Sequence, residues 1–495
     1  MHFSLFLSFS TAAMAALPTP IPPPAQALIR AGIASHQILI KGDSHYEARQ
    51  ASYWSNSAKI KPAAIYLPQN AQEVAFAVKT LAAVKQPFAV RSGGHTNWAG
   101  SNNIEGGITI DLSQLSAVTY NASAETADIG PGARWRDVYA ELHKFKRAVA
   151  GGREGNVGVA GLILGGGNTF FTARRGFACD NVVAYEVVLA DGRVINATKT
   201  QNPDLFVALK GGSNNFGIVT KFTMTAIPSD GVWGGMAFLP KAVTPQAIEN
   251  VVSFTENVSK DPDSNLVAMF THMPDFRDIV VATLYANMAG NFKPATFDKW
   301  LALPEIMNTV KNTTLKDMAF EYNIPAGLYD TWFTLTLKND ARILSKAAEL
   351  HEKLVQDLIA IIPEQTFTTQ CLFQPLPKLF AQNSIKAGGN VMGVERHSSD
   401  GVLWLATAMV ETAEQEAKAY PLVKAWVEEV KKYAASLDGL LEWTYLNYAD
   451  KSQDPLGSYG KENLRKIKAA ADKYDPQGVF QKLVPGGFKI SKAKF

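Results

Sequence analysis

Between Gly151 and Gly167, eight of seventeen residues are glycine. Glycine costs about 0.5–1 kcal/mol in regular secondary structure, so a rigid core gains nothing from such a density. The run reads Gly151-Gly152-Arg153-Glu154-Gly155-Asn156-Val157-Gly158-Val159-Ala160-Gly161, and Leu162-Ile163-Leu164 leads on into Gly165-Gly166-Gly167. Backbone without Cβ atoms can approach a phosphate closely and turn successive N–H groups onto its oxygens. A glycine-rich turn between close-packed strands would carry a similar signature. Two common nucleotide loops are excluded. Gly130-Pro131-Gly132 is followed by Ala133-Arg134-Trp135, so G-x-G-x-x-G lacks its third glycine, and no Gly-Lys-Ser/Thr follows.

A second glycine turn lies upstream. The apolar run Pro87-Phe88-Ala89-Val90 reads as a buried strand, and Arg91-Ser92-Gly93-Gly94-His95 follows it. A histidine beside such a turn can serve as nucleophile, base or metal ligand. The eight histidines are scattered without ligand spacing, so no metal site is expected.

The surrounding chain alternates strands and helices from about Lys61 to Pro228. Asn70 and Glu73 have capping-box spacing ahead of a stripe of Val74, Ala77, Val78, Leu81 and Ala82. Strands are predicted over Gly107–Leu112, ending at Ala127–Gly132, over Val182–Leu189 and over Ile218–Ala226. Asp191-Gly192 turns one of them back into Arg193-Val194-Ile195. A helix is predicted over Trp135–Phe145, with Trp135, Val138, Leu142 and Phe145 on one face. Beyond Pro228, strand-like runs such as Asn265–Phe270, Ile279–Tyr285 and Val402–Val410 alternate with long helical patterns at Asp340–Ile362 and Glu411–Ser436. This texture predicts an antiparallel sheet covered by helices, and an α+β class for the whole. A final helix is expected at Lys461–Tyr474, stopped by Asp475-Pro476.

The formal net charge of +3, with no basic cluster interleaved with aromatics, argues against a nucleic-acid partner. Nothing beyond the N-terminus is long and apolar enough to span a bilayer, so no membrane partner is expected. Residues 1–16 read as a secretory signal, with an apolar stretch from Phe3 to Phe9 and a small-x-small site at Ala13-Met14-Ala15, although only His2 stands in the place of basic residues. The Pro-rich stretch Pro18–Pro24 reads as an exposed leader rather than a helix. Glycosylation sequons begin at Asn121, Asn196, Asn257 and Asn312, in keeping with a secreted protein. The two cysteines, Cys179 and Cys371, are either one bridge or two buried thiols.

Taken in order, Arg91–His95, the cluster Gly151–Gly167, Gly176-Phe177-Ala178-Cys179-Asp180-Asn181, Leu189-Ala190-Asp191-Gly192, Gly211–Val219, Tyr445-Leu446-Asn447-Tyr448-Ala449-Asp450 and Asp475-Pro476 through Val479-Phe480 form one set. The set resembles the FAD-linked oxidases of the vanillyl-alcohol oxidase and berberine-bridge type (PCMH-type FAD-binding), most of all their fungal secreted branch. The resemblance implies an FAD domain over residues 58–228, a substrate domain over 229–440, and a segment 441–495 that completes the FAD domain. It assigns Arg91, Ser92, Gly93, Gly94, His95, Gly155, Val157, Gly158, Gly161, Gly165, Gly166, Ile218, Val219 and Asn447 to cofactor binding. It also implies a bond from His95 to the 8α-methyl of FAD, formed by addition of neutral imidazole to the quinone-methide tautomer.

Many such enzymes carry a second flavin bond, from a cysteine three residues before the Val-Gly of the second cluster. Here that position is Glu154, and neither Cys179 nor Cys371 is placed to substitute, so a single bond is expected. Close kinship with the doubly linked oligosaccharide oxidases is correspondingly weakened. Val159 matches the position said to gate oxygen, and a valine there resembles the oxygen-reactive members. The catalytic tyrosine of the family maps to Tyr448. On a strand, Tyr445 and Asn447 would share one face, Leu446 and Tyr448 the other. A phenol, with pKa near 10, needs a cationic or hydrogen-bonding neighbour to act as base. Among Glu395, Arg396 and His397, Glu395 is the candidate partner. The expected activity is oxidation of a small organic substrate by a secreted oxidase, with molecular oxygen as acceptor and hydrogen peroxide as product. The alternatives are an oxidative cyclase of a biosynthetic pathway and a low-turnover flavin-fold glycoprotein.

Overall fold

The computed structural model describes residues 21–276 and 278–494; the expected signal segment lies outside these. Among the described residues three larger sheets and one two-stranded sheet, Ile227–Pro228 with Arg147–Ala148, organise the chain. The first has four strands in the order Ile38–Ile40, Ala64–Tyr66, Ile108–Asp111, Phe88–Arg91, the last three mutually parallel along their contacts. The helix Ala71–Ala83 makes the crossover. Asn70 accepts the Glu73 N–H at 2.9 Å, and the Glu73 carboxylate answers from the Asn70 amide at 3.2 Å. The second sheet is antiparallel, in the order Val118–Asn121, Thr126–Ile129, Ile218–Thr225, Val182–Val188, Val194–Thr198.

The third sheet is the antiparallel one expected after Pro228. Its long central strands run Val232–Pro240, Val280–Asn287, Ser264–His272, Phe367–Leu376, Gly401–Val410, Tyr329–Lys338. The helices Thr244–Asn257, Ala341–Ile359 and Ala413–Ser436 pack on it. Trp426 ties two of them together by donating to the Ala347 carbonyl at 3.1 Å. The C-terminal tail returns to the first sheet. Phe480 and Val484 join the core of Phe88 and Ile108, and the Phe88 N–H donates to Leu483 at 2.8 Å.

Two local expectations are corrected. Pro18–Pro24 is not wholly an extended leader, because a helix begins at Pro23 and runs to Arg30. Proline at the first turn loses only an N–H that would lack a partner anyway. The helix at Trp135 ends at His143, so Phe145 leaves the buried face and stands exposed against Tyr120, with ring centroids 5.1 Å apart. Lys146, in the left-handed region with φ 53°, reverses the chain there. Cys179 and Cys371 are both free and buried; Cys371 instead accepts the indole N–H of Trp404 at 3.2 Å. Among the described residues no helix is long and apolar enough to cross a membrane, and no cluster of His, Cys, Asp and Glu could hold a metal.

Candidate active site

The two glycine clusters meet backbone to backbone. A Cβ on Gly93 would lie 2.5 Å from the Gly158 Cα, and one on Gly158 would lie 2.5 Å from the Gly93 nitrogen. Only glycine at both positions lets the loops touch. Beside this contact opens a cavity lined by Ser92, Gly93, Gly94, His95, Val157, Gly158, Gly161, Ile218, Val219 and Asn447, ten of the predicted cofactor residues. Gly161 faces open space, with nothing within 4 Å of where its Cβ would stand. The contrast is testable. Gly93→Ala is expected to cost about 1–3 kcal/mol in denaturant unfolding, as overpacked sites do. Gly161→Ala should leave stability intact but lower FAD retention, because its methyl would enter the cavity.

The other four predicted cofactor residues stand behind this wall. Arg91 is fully buried and stacks on the Tyr53 ring at 3.7 Å. It donates to the Arg49 carbonyl at 2.6 Å and to Ser52 Oγ at 2.8 Å, and so anchors the loop rather than facing the cavity. A side chain at Gly155 would collide with the Ala319 carbonyl, at Gly165 with Asn447, and at Gly166 with Met392. These glycines serve packing. Val159 begins the helix Val159–Leu164 and points into the core, so it does not line the cavity as an oxygen gate would.

His95 stacks on Trp54, with centroids 4.5 Å apart and planes 5° from parallel. Its Nε2 is sealed from solvent, lacks a hydrogen-bond partner, and lies 3.5 Å from Glu154 Oε2. Burial, reinforced by the nearby Arg134 cation, pushes the imidazole pKa down to about 3. Burial pushes Glu154 up to about 7, against the opposing hydrogen bonds from Val157 and Asn156. At neutral pH the imidazole is therefore uncharged, and the contact is not an ion pair. A neutral imidazole keeps a lone pair on one of its two ring nitrogens.

Tyr448 departs from the sequence expectation. Residues Leu446–Tyr448 form a 3₁₀ turn, not a strand, closed by Tyr448 N–H to the Tyr445 carbonyl at 3.0 Å. Strand alternation fails, and all of Tyr445, Leu446, Asn447 and Tyr448 line the cavity. Aromatic strand propensity yields here to tertiary contacts. Tyr445 is buried and accepts the Asn168 N–H at 2.6 Å, and Asn447 donates to the Leu162 carbonyl at 3.0 Å. The Tyr448 hydroxyl accepts from Arg153 Nη2 at 3.1 Å and from Gln374 Nε2 at 3.2 Å. Gln374 Oε1 in turn accepts from Arg153 and, at 3.2 Å, from Asn168 Nδ2.

The cation beside the phenol is thus Arg153, from within the glycine-rich run. Glu395 is not its partner. It sits on the turn Val394–Arg396, reached by Asn463 Nδ2 at 3.4 Å, and does not line the cavity. Arg396 is spent on Glu442 and the Ser458 carbonyl. Arg153 had a sequence signal: it is the only cation among those seventeen residues. Gln374 had none, being one polar residue in a buried strand. The cavity is completed by Trp54, Tyr322, Ile324 and Trp332, an aromatic and apolar surround. Three of the four sequon asparagines, Asn121, Asn196 and Asn312, are exposed; Asn257 is half-buried and donates to the Ser253 carbonyl at 2.7 Å.

These residues suit a flavin: glycine loops in a cavity wall, an uncharged histidine with an unpartnered nitrogen, and a phenol lining the same space. Comparison with known proteins agrees. The FAD binding domain family matches residues 62–198. An FAD-dependent monooxygenase of Aspergillus calidoustus is 37% identical over 471 residues, covering 94% of this chain and 90% of the relative. The bifunctional solanapyrone synthase of Alternaria solani is 33% identical over 457 residues, covering 90% of this chain and 85% of that protein. In fold, the chain is similar to 6-hydroxy-D-nicotine oxidase from Arthrobacter nicotinovorans, with a TM-score of 0.74, 22% identity, and coverage of 90% and 96%. It is similar also to glucooligosaccharide oxidase from Acremonium strictum, a 6-S-cysteinyl, 8α-N1-histidyl FAD protein, with a TM-score of 0.73, 18% identity, and coverage of 92% and 97%. With relatives alike over nine-tenths of its length, the chain belongs to the berberine-bridge-like, PCMH-type family of FAD-linked oxidoreductases.

Proposed function

We propose that this enzyme is an oxidase of a small alcohol, amine or secondary metabolite, that its FAD is held by a single bond to His95, and that molecular oxygen is the acceptor. The carrying observation is the Tyr448 hydroxyl, fixed by Arg153 and Gln374 in the wall of the same cavity that His95 lines. Bound FAD supplies the hydride acceptor. The protein supplies the rest. Tyr448 takes the proton from the substrate O–H or N–H. The Arg153 guanidinium, nine-tenths buried and without a carboxylate partner within salt-bridge distance, stabilises the phenolate that this leaves. Trp54, Trp332 and Ile324 keep water from the reacting carbon and favour an apolar or aromatic substrate.

The test is oxygen uptake and peroxide release by the purified protein across a panel of aromatic alcohols, amines and polyketide-like substrates under ¹⁸O₂. One peroxide per product, with no ¹⁸O in that product, supports the oxidase. Incorporated ¹⁸O overturns it in favour of oxygen insertion, the reaction in the name of the Aspergillus calidoustus relative. A second reading, an oxidative cyclase, draws on the likeness to solanapyrone synthase. A product with a new ring would support it, and a simple aldehyde, imine or lactone would exclude it. Secretion is proposed from the leader composition and from the exposed asparagines at 121, 196 and 312.

A further inference from the structure

Glu154 occupies the position where the resemblance expects a flavin-bonding cysteine, yet its carboxylate turns toward His95. Its Oε2 lies 3.5 Å from Nε2, and no described residue gives Nε2 a hydrogen bond. The Trp54 stack fixes the plane of the ring. The same carboxylate oxygen, Oε2, accepts the Val157 N–H at 2.8 Å, and the other oxygen, Oε1, accepts from the Asn156 side-chain amide at 3.2 Å, so the carboxylate is fixed in place. Asn156 is itself pinned, its side-chain oxygen by Arg136 at 2.7 Å and its carbonyl by Arg134. A carboxylate oxygen can accept more than one hydrogen bond, and for Oε2 the further hydrogen the geometry offers is the one on His95 Nε2.

We propose that Glu154 is a positioning residue for flavin attachment: it accepts the Nε2 hydrogen of His95, which leaves the Nδ1 lone pair as the nucleophile toward the 8α carbon of FAD. The proposal rests on the reading that His95 carries the flavin. In the attachment step Nδ1 forms a bond to C8α and one C8α–H bond breaks. The electron pair of that C–H bond stays on the isoalloxazine, which is reduced by two electrons. The imidazole would be left cationic, an unfavourable state in this buried setting, unless Nε2 gives up its proton, and Glu154 Oε2 receives it. The C8α and Nε2 protons balance the two electrons. Molecular oxygen takes the one electron pair and the two protons and leaves as hydrogen peroxide, so that oxidised, attached FAD and the original carboxylate remain. A raised Glu154 pKa, near neutrality, suits a group that takes up and releases this proton.

The test uses Glu154→Gln, which keeps the shape and an acceptor for Val157 N–H but cannot take the proton, and Glu154→Asp, which keeps the carboxylate. Full-length protein prepared without flavin is incubated with FAD, and flavin fluorescence remaining on the chain in denaturant is followed against time. Expected is wild-type FAD content in E154Q, with attachment slowed at least about tenfold, and substantial recovery in E154D. Attachment in E154Q at the wild-type rate overturns the proposal. Should E154Q fail to hold FAD, E154D and E154N decide: attachment in E154D alone supports it, and equal attachment in both, or in neither, overturns it. Wild-type protein without any attached flavin would be a separate result, removing the reading of His95 itself.

Discussion

Tyr448→Phe is expected to lower kcat by about 10²–10⁴-fold, the range for loss of a positioned general base, with flavin content and unfolding midpoint unchanged. The substitution removes one hydroxyl and keeps the ring. Its edge-on contacts with Tyr445 at 4.8 Å and Trp332 at 5.7 Å therefore remain. Arg153 still donates to the Gln374 oxygen, and only the Gln374 amide nitrogen is left without an acceptor. The defect should appear in the rate of flavin reduction, followed anaerobically by bleaching, and not in reoxidation by oxygen. Wild-type reduction in Y448F would exclude the phenol as base.

His95→Ala is expected to change flavin retention from nearly complete to none after acid precipitation, with mass mapping showing no flavin on any peptide. Neither free cysteine can take over. Cys179 and Cys371 are buried outside the cavity wall, and burial raises both thiols well above their ordinary pKa, which removes the nucleophilic thiolate. The fold should persist, since the loops are joined by the Gly93–Gly158 contact and by Arg91, not by the imidazole. FAD found on a cysteine peptide, in H95A or in the wild type, would sink the single-bond reading.

Much of the molecule was legible in the sequence because its cues act over short distances. The Asn70–Glu73 box caps its helix as written, and the Asp191-Gly192 turn joins the strands that flank it. The limits of the Lys461–Tyr474 helix follow the predicted ones. The errors were also local in origin. The aromatic stretch Tyr445–Tyr448 suggested a strand, but the strand pairing ends at Leu441, and among the described residues no neighbour offers a ladder beyond it. Without sheet partners the backbone closed on itself as a 3₁₀ turn and turned four side chains into one cavity.

Sequence by itself determined that two glycine loops exist, that His95 stands at the end of one, and that Glu154 stands three residues before Val157-Gly158 in the other. Each of these is a statement about neighbours along the chain. Only the tertiary structure decided what those residues face. Arg153 reaches Tyr448 across 295 positions, and Glu154 meets His95 across the contact between the loops. Coulomb and hydrogen-bond energies depend on distances of a few ångströms and on exclusion of water. Those distances are set by the tail packed on the first sheet and by contacts between the third sheet and the glycine-rich run, such as that of Gln374 with Arg153.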